Sequence, residues 1–305
     1  MDAEILKFDP PAGVAQDLEL GLRRLLAPNP SPMTFRGTNT YLLGTKEIAV
    51  IDPGPDLDDH LDAILASITG DQRISHILVT HAHVDHSPLS RKLAKATGAP
   101  VLAFGDVFAG RSPVMADLAA RGLAGGGEGV DAEFVPDQIV REGEIISADG
   151  WEVEAIHTPG HFGNHLAFAW GDACFTGDLV MGWASSLVSP PDGDLTDFMT
   201  SCRRLNQRKW RVFHAGHGAP IEAPNDRLDW LIAHREGRER EILETLGKTG
   251  AARAYDLACQ IYTETPTALM GAATRNVFAH LVDLTGRGIV RPQQTLESEA
   301  IFELT

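Results

Sequence analysis

The sequence predicts an α/β fold followed by a small, mostly helical module, and three observations carry that expectation. Short apolar runs alternate with amphipathic helical stretches through the first two-thirds of the 305 residues. From Asn225 onward the texture turns helical. No internal repeat or low-complexity tract interrupts either part. Hydrophobic residues make up 43% and charged residues 22%, enough to bury a sizeable core. No stretch approaches the roughly 18 apolar residues needed to span a bilayer.

In order, residues 38–56 read as two β-rich runs around Gly44-Thr45, ending in the turn-former Asp52-Pro53-Gly54-Pro55. Residues 57–70 space Leu57, Leu61, Ile64, Leu65 and Ile68 along one helical face, and Gly70 stops it. ISHILVT (74–80) reads as a strand buried between layers. SPLSRKLAKATGAP then predicts a helix closed by Gly98, and VLAF another strand. Residues 105–135 break the rhythm. Glycines at 122, 125, 126, 127 and 129 predict a mobile loop there, since no Lys-Ser/Thr follows to make a phosphate cradle. β-structure resumes in QIVREGEIISADGWEVEAIHT and HLAFAWGDACFTGDLV.

The boundary is expected at residue 224, dividing a 1–224 domain from a 225–305 domain. The latter opens with a long amphipathic helix capped by Asn225 or Asp226. Two more helical patterns follow, then a short β-like run from Gly288 to Arg291, the outline of a winged helix. A DNA-binding face needs a basic stripe. Residues 225–305 hold nine Lys/Arg against twelve Asp/Glu, and the expected recognition helix (267–282) carries only Arg275. That balance argues against duplex DNA as a partner, so the module is expected to pack on the first domain or to mediate dimerisation. The net charge of −16 likewise opposes nucleic acid and anionic membrane.

Histidine placement carries the chemistry. THAHVDHS, straight after the ISHILVT strand, packs His81, His83, Asp85 and His86 into six residues. In an extended loop, positions two apart point to one side, so His81 and His83 can grip one metal while Asp85 and His86 turn to a neighbouring position. A solvated His-rich turn is the bland alternative, and the density of ligands at a buried strand end argues against it. Further candidates follow β-like segments: His161 in AIHTPGHFGNH, Asp178 in FTGDLV, and His217 between two glycines in HAGHG. Five imidazoles and two carboxylates are too many for one tetrahedral zinc, but suit two metals sharing a carboxylate and a bridging water or hydroxide. His76, His60, His234 and His280 are expected to be packing or surface residues, and His157 and His214 structural supports. His165 could face substrate and donate to a developing oxyanion, a catalytic role beside Asp85, which would orient the nucleophile.

In this order, THAHVDHS, HTPGHFGNH, FTGDLV and HAGHG resemble the metal-binding motifs of the metallo-β-lactamase superfamily over about residues 35–220. The resemblance implies a four-layer αββα sandwich with the site at one edge. It places His81, His83 and His161 on a first metal and Asp85, His86 and His217 on a second, with Asp178 bridging. Asp52 would brace the metal-bearing loop. The C-terminal part is similar to the beta-lactamase-like 2 group, whose lactamase domain carries such an appendage and whose characterised members cleave single-stranded RNA. One departure is Ser87-Pro88-Leu89 after His86, where a small residue and Gly-Gly are more usual; Pro88 and Leu89 are expected to narrow the approach to the site.

The expected activity is hydrolysis of an ester- or thioester-like bond in a small-molecule substrate, with two zinc ions as cofactor; the same ligands can also hold one iron. Two other readings compete: an endoribonuclease acting on single-stranded RNA, and a metal-sensing DNA-binding regulator. The N-terminus lacks a basic region followed by an apolar one, and Cys174, Cys202 and Cys259 are too few for a disulfide framework. A cytoplasmic location with no membrane partner is therefore expected.

Overall fold

The computed structural model describes residues 7–125 and 129–305. Gly126 and Gly127, part of the expected mobile loop, lie outside the described residues. Two sheets pack face to face. The first orders β1 (Gln16–Glu19), β2 (Leu22–Leu26), β3 (Asn39–Leu43), β4 (Glu47–Ile51), β5 (Arg73–Leu78), β6 (Val101–Ala103) and β7 (Gln138–Ile139). Its pairs are antiparallel up to β4 and parallel beyond it. The second orders β12 (Val212–Ala215), β11 (Ala173–Gly177), β10 (Leu166–Trp170), β9 (Trp151–His157) and β8 (Ile145–Ala148), antiparallel except for β11 with β12.

Strand alternation builds the layers. Tyr41, Leu43, Ala49 and Ile51 face inward against Trp151, Val153, Phe168 and Phe175 of the opposite sheet. Leu42, Ile48, Val50 and Ile77 face outward, where α1 (Asp58–Ala66) and α2 (Leu89–Thr97) cover them with Ile64, Leu89 and Leu93. On the other side α4 (Leu195–Leu205) and α5 (Pro224–Thr249) cover Ala167, Cys174 and Phe213 with Phe198, Leu205, Leu228 and Leu231. The result is the expected αββα arrangement. The C-terminal part adds α6 (Ala254–Ile261), α7 (Met270–Gly286) and a small antiparallel sheet, β13 (Ala252–Arg253), β15 (Ile301–Leu304) and β14 (Val290–Pro292). Among the described residues, no helix is long and apolar enough to cross a membrane.

Three local expectations need correction. The interrupted segment contains a helix, α3 (Pro113–Ala120), started by Ser112 Oγ accepting from Met115 N with Pro113 in the first turn. Its Met115 and Leu118 pack into the C-terminal core beside Leu257, Val277 and Phe302. The helix α5 begins at Pro224, with Ala223 at the cap. Asn225 is instead drawn aside, donating to Asn206 Oδ1 (2.8 Å) and Arg208 O (2.9 Å). Pro88 and Leu89 do not stand at the site's mouth: they open α2, buried, with Leu89 in the core beneath the first sheet.

His60 supplies a pH-dependent element of stability. Thr40 Oγ1 donates to the Asp52 carbonyl (2.7 Å) and so accepts from His60 Nε2 (2.9 Å), leaving Nδ1 buried without a partner among the described residues. Burial lowers the His60 pKa to about 4. The unfolded chain therefore binds the proton first: stability is complete above pH 6.5 and is lost as pH falls from there towards 4, about 2 kcal/mol by pH 5. Urea unfolding of metal-free protein at pH 7.5 and 5.0 tests this. Wild type loses more stability than His60→Gln, by roughly that amount; equal losses refute the assignment.

Candidate metal centre

The site lies where strands end. Asp52 follows β4, the Thr80–Ser87 loop follows β5, His161 sits between β9 and β10, Asp178 follows β11, and His217 follows β12. Asp52 adopts a left-handed φ of 50°, which costs roughly 1–3 kcal/mol for a non-glycine residue. That conformation aims its carboxylate at the loop, where it accepts from Thr80 N and Thr80 Oγ1 (both 2.7 Å) and from His86 Nδ1 (2.9 Å). Asp52 thus ties the first and last parts of the histidine-bearing loop together.

Two groups of donor atoms converge. In the first, His83 Nδ1 lies 2.9 Å from His81 Nε2 and 3.0 Å from His161 Nε2. Thr80 Oγ1 spends its proton on Asp52, so it accepts from His81 Nδ1 (2.9 Å); the Leu187 carbonyl accepts from His161 Nδ1 (2.7 Å). Both rings therefore turn bare Nε2 lone pairs towards His83. In the second group, His217 Nε2 is 3.1 Å from Asp85 Oδ2, and His86 Nε2 is 3.3 Å from the same oxygen. The Gly37 carbonyl accepts from His217 Nδ1 (3.0 Å). Asp178 reaches both groups: Oδ2 is 3.2 Å from His217 Nε2 and 3.8 Å from His161 Nε2, and Oδ1 is 3.5 Å from His86 Nε2.

The donor set fits metal. Edges near 3 Å between nitrogens resemble the roughly 3.3 Å edges of a tetrahedral site with ~2.0–2.1 Å bonds. Burial lowers the pKa of His81, of His161 and of His83, the last to about 3, so these imidazoles are neutral, the form in which a metal is bound. Burial opposes charge on the carboxylates too, yet His86 and His217 hold Asp85 and Asp178 well below the usual carboxylate range. In turn the carboxylates, against burial, raise His86 and take His217 to about 10. Two buried carboxylates facing ring nitrogens call for positive charge between them, which divalent cations supply. Among the described residues, Asp178 Oδ1 has no hydrogen-bond partner, leaving a lone pair open.

The seven expected ligand side chains are thus brought together. His165 is not placed to meet substrate. It has no exposed surface, its Nδ1 pairs with Thr158 Oγ1 (2.8 Å), and its ring packs 5.1 Å from that of His81. His157 stacks on Phe104 and donates to the Gly163 carbonyl (3.0 Å), and His214 is buried beside Tyr41 and Phe175. Apart from Asp52, the residues that aim these side chains are missing from the sequence-based expectation. Thr38 Oγ1 donates to Asp85 Oδ2 (3.3 Å), and the aiming acceptors at Gly37 and Leu187 are backbone carbonyls. Asn164 accepts from Ala82 N through Oδ1 (3.3 Å) and donates to the Asp106 carbonyl (3.0 Å). Only Asn164, inside HFGNH, carries a signal in its position.

Comparison with known proteins agrees with this architecture. Residues 33–230 match the Metallo-beta-lactamase superfamily and residues 254–297 the Beta-lactamase associated winged helix domain. A Beta-lactamase-like protein 2 homolog of Drosophila melanogaster is 30% identical over 287 residues, covering 90% of this chain and 91% of the relative. An Atrochrysone carboxyl ACP thioesterase of Aspergillus fumigatus is 32% identical over 231 residues, covering 73% of this chain and 64% of the relative. A solved metallo-beta-lactamase family protein from Thermus thermophilus superposes with a TM-score of 0.76 at 26% identity, covering 95% of this chain and all of that one. The chain belongs to the metallo-β-lactamase superfamily, as a hydrolase of that fold with a His/Asp metal-binding cluster and the associated winged-helix domain.

Proposed function

We propose that the protein is a dinuclear zinc hydrolase that cleaves an ester- or thioester-like bond in a small molecule. The observation carrying this reading is the convergence of His81 Nε2, His83 Nδ1 and His161 Nε2 within about 3 Å, beside a carboxylate, Asp178, that also reaches the Asp85–His86–His217 group. His81, His83 and His161 would hold one metal and Asp85, His86 and His217 the other, with Asp178, whose oxygens lie within 4 Å of ring nitrogens in both groups, serving the two. When bound, the metal pair supplies Lewis acidity for the scissile carbonyl and acidifies the attacking water.

The chain's own residues do the rest. Thr38 fixes the Asp85 carboxylate, which orients the nucleophile. The Leu187 and Gly37 carbonyls hold His161 and His217 in the tautomer that leaves Nε2 free. The thioester preference draws support from the name of the Aspergillus relative. It also draws on charge: residues 1–224 hold 17 basic and 30 acidic side chains, a poor track for a polyanion. We place the functional boundary at residues 224/225. The free thiols Cys174, Cys202 and Cys259 fit a reducing, cytoplasmic compartment.

A hydrolase panel of thioesters, lactones, β-lactams, phosphodiesters and single-stranded RNA tests the reading, with metal content measured on the same sample. The expected result is close to two equivalents of zinc per chain and highest turnover on a thioester or ester. Submicromolar RNA binding with a steep salt dependence, plus cleavage lost in His83→Ala, replaces the substrate assignment with the ribonuclease one. A single equivalent of iron removes the dinuclear zinc centre.

A further inference from the structure

The segment that carries one of the carbonyls aiming a metal-site histidine is itself gripped by the C-terminal helices. The stretch 186–189 is buried, and its Leu187 carbonyl accepts from His161 Nδ1. Immediately before it, Arg235 of α5 donates through Nη2 to the Ser186 carbonyl, and through Nη1 to Asn276 Oδ1 of α7 at 3.0 Å. Immediately after it, the same Asn276 oxygen accepts from Val188 N at 3.4 Å. Arg275, the one base of the expected recognition helix, turns the same way: it donates to Ser189 Oγ (3.2 Å) and to the Ala124 carbonyl (3.0 Å).

The cost of this arrangement indicates what it does. Arg235 is 3% exposed, lies over the Phe198 ring at 5.2 Å, and has no carboxylate partner among the described residues. Burying a guanidinium without a counter-charge is expensive, and here burial lowers its pKa. Two acceptors offset that cost, the Ser186 carbonyl and Asn276 Oδ1, and both lie on the path to His161. Val188 N belongs to the same planar peptide group as the Leu187 carbonyl, so holding that N–H, and pinning the preceding peptide through the Ser186 carbonyl, leaves the Leu187 carbonyl one direction to point.

The geometry points to Asn276 and Arg235 as positioning residues for His161, which makes the winged-helix module a working part of the metal centre. This rests on the proposed ligand role of His161. The helix α7, which a DNA-binding winged helix would present to a groove, instead faces the catalytic sandwich and holds the 186–189 segment, so that the His161 ring keeps Nε2 towards His83.

The test titrates metal-free, full-length protein with zinc against a competing chelator, using wild type, Asn276→Ala and Asn276→Asp. Wild type fills two sites. The alanine variant fills one with unchanged affinity and the other about tenfold or more weakly, the loss expected when a ligand's outer partner is freed. At full occupancy its kcat falls with KM little changed. The aspartate variant keeps an oxygen for Val188 N and Arg235, and restores both affinity and kcat. Should the alanine variant not fold, Asn276→Ser, too short to reach Val188, takes its place with the same expectation. Unchanged zinc affinity at both sites, equal weakening of the two, or no recovery with aspartate overturns the inference. A wild type that takes up no metal sinks the hydrolase reading as well, an outcome plainly different from a variant that binds like wild type.

Discussion

Replacing Asp178 with alanine lowers kcat/KM at least about a thousandfold, some 4 kcal/mol of transition-state stabilisation, while His165→Ala stays within about tenfold of wild type. Asp178 is the only carboxylate of the cluster within 4 Å of ring nitrogens in both donor groups, at 3.8 Å from His161 and 3.2 Å from His217. Its removal leaves the two groups without a shared anion and strips negative charge from a site built to hold cations. His165 lies behind His81 with no exposed surface, so its loss acts through packing and through the Thr158 hydrogen bond. It is therefore read mainly as a lower unfolding midpoint. Steady-state kinetics and elemental analysis on both variants check this. An Asp178→Ala enzyme with near wild-type activity at full metal occupancy removes Asp178 from the centre.

The same contrast explains what the sequence makes legible. His81, His83, Asp85 and His86 stand out because a short loop at a buried strand end has no structural use for four ligating side chains. His161, Asp178 and His217 stand out because each follows a β-like run. What escapes, apart from Asp52, is whatever aims them. The Leu187 and Gly37 carbonyls are groups that every residue possesses, and their role depends on which chain segment passes within 3 Å. Asn276 and Arg235 lie 115 and 74 positions from His161, in helical patterns that promise only packing. His165 misleads for the opposite reason: its spacing from His161 suggests a shared cleft, but the chain enters β10 at Leu166 and buries the ring. Pro88 and Leu89 mislead similarly, since a proline after a ligand loop reads as a rim feature when it is the start of α2.

Glycine at position 216 bears more of the site than any signal in HAGHG suggests, and Gly216→Ala is expected to lower activity at least about a hundredfold with the fold intact. A Cβ there would lie 2.3 Å from Asp178 Oδ1 and 2.7 Å from His86 Cε1, closer than real Cβ contacts come. Neither neighbour can yield cheaply. Asp178 is held among imidazoles, and His86 is fixed through Nδ1 by Asp52. The backbone cannot back away either, because Gly216 N donates to the Gly177 carbonyl (2.8 Å) and the Gly216 carbonyl accepts from Asn39 N (2.7 Å). The added methyl must therefore displace the carboxylate by about an ångström or more, a misplacement worth on the order of a hundredfold at a catalytic centre. Gly271→Ala, on α7 with nothing near its added methyl, is the control and keeps full activity. Zinc titration and urea unfolding separate the causes: Gly216→Ala weakens metal uptake far more than it lowers the unfolding midpoint of the metal-free protein. If metal uptake is normal and only the midpoint falls, the glycine serves the fold, and the close packing of Asp178 on the β12 turn is not what shapes the centre.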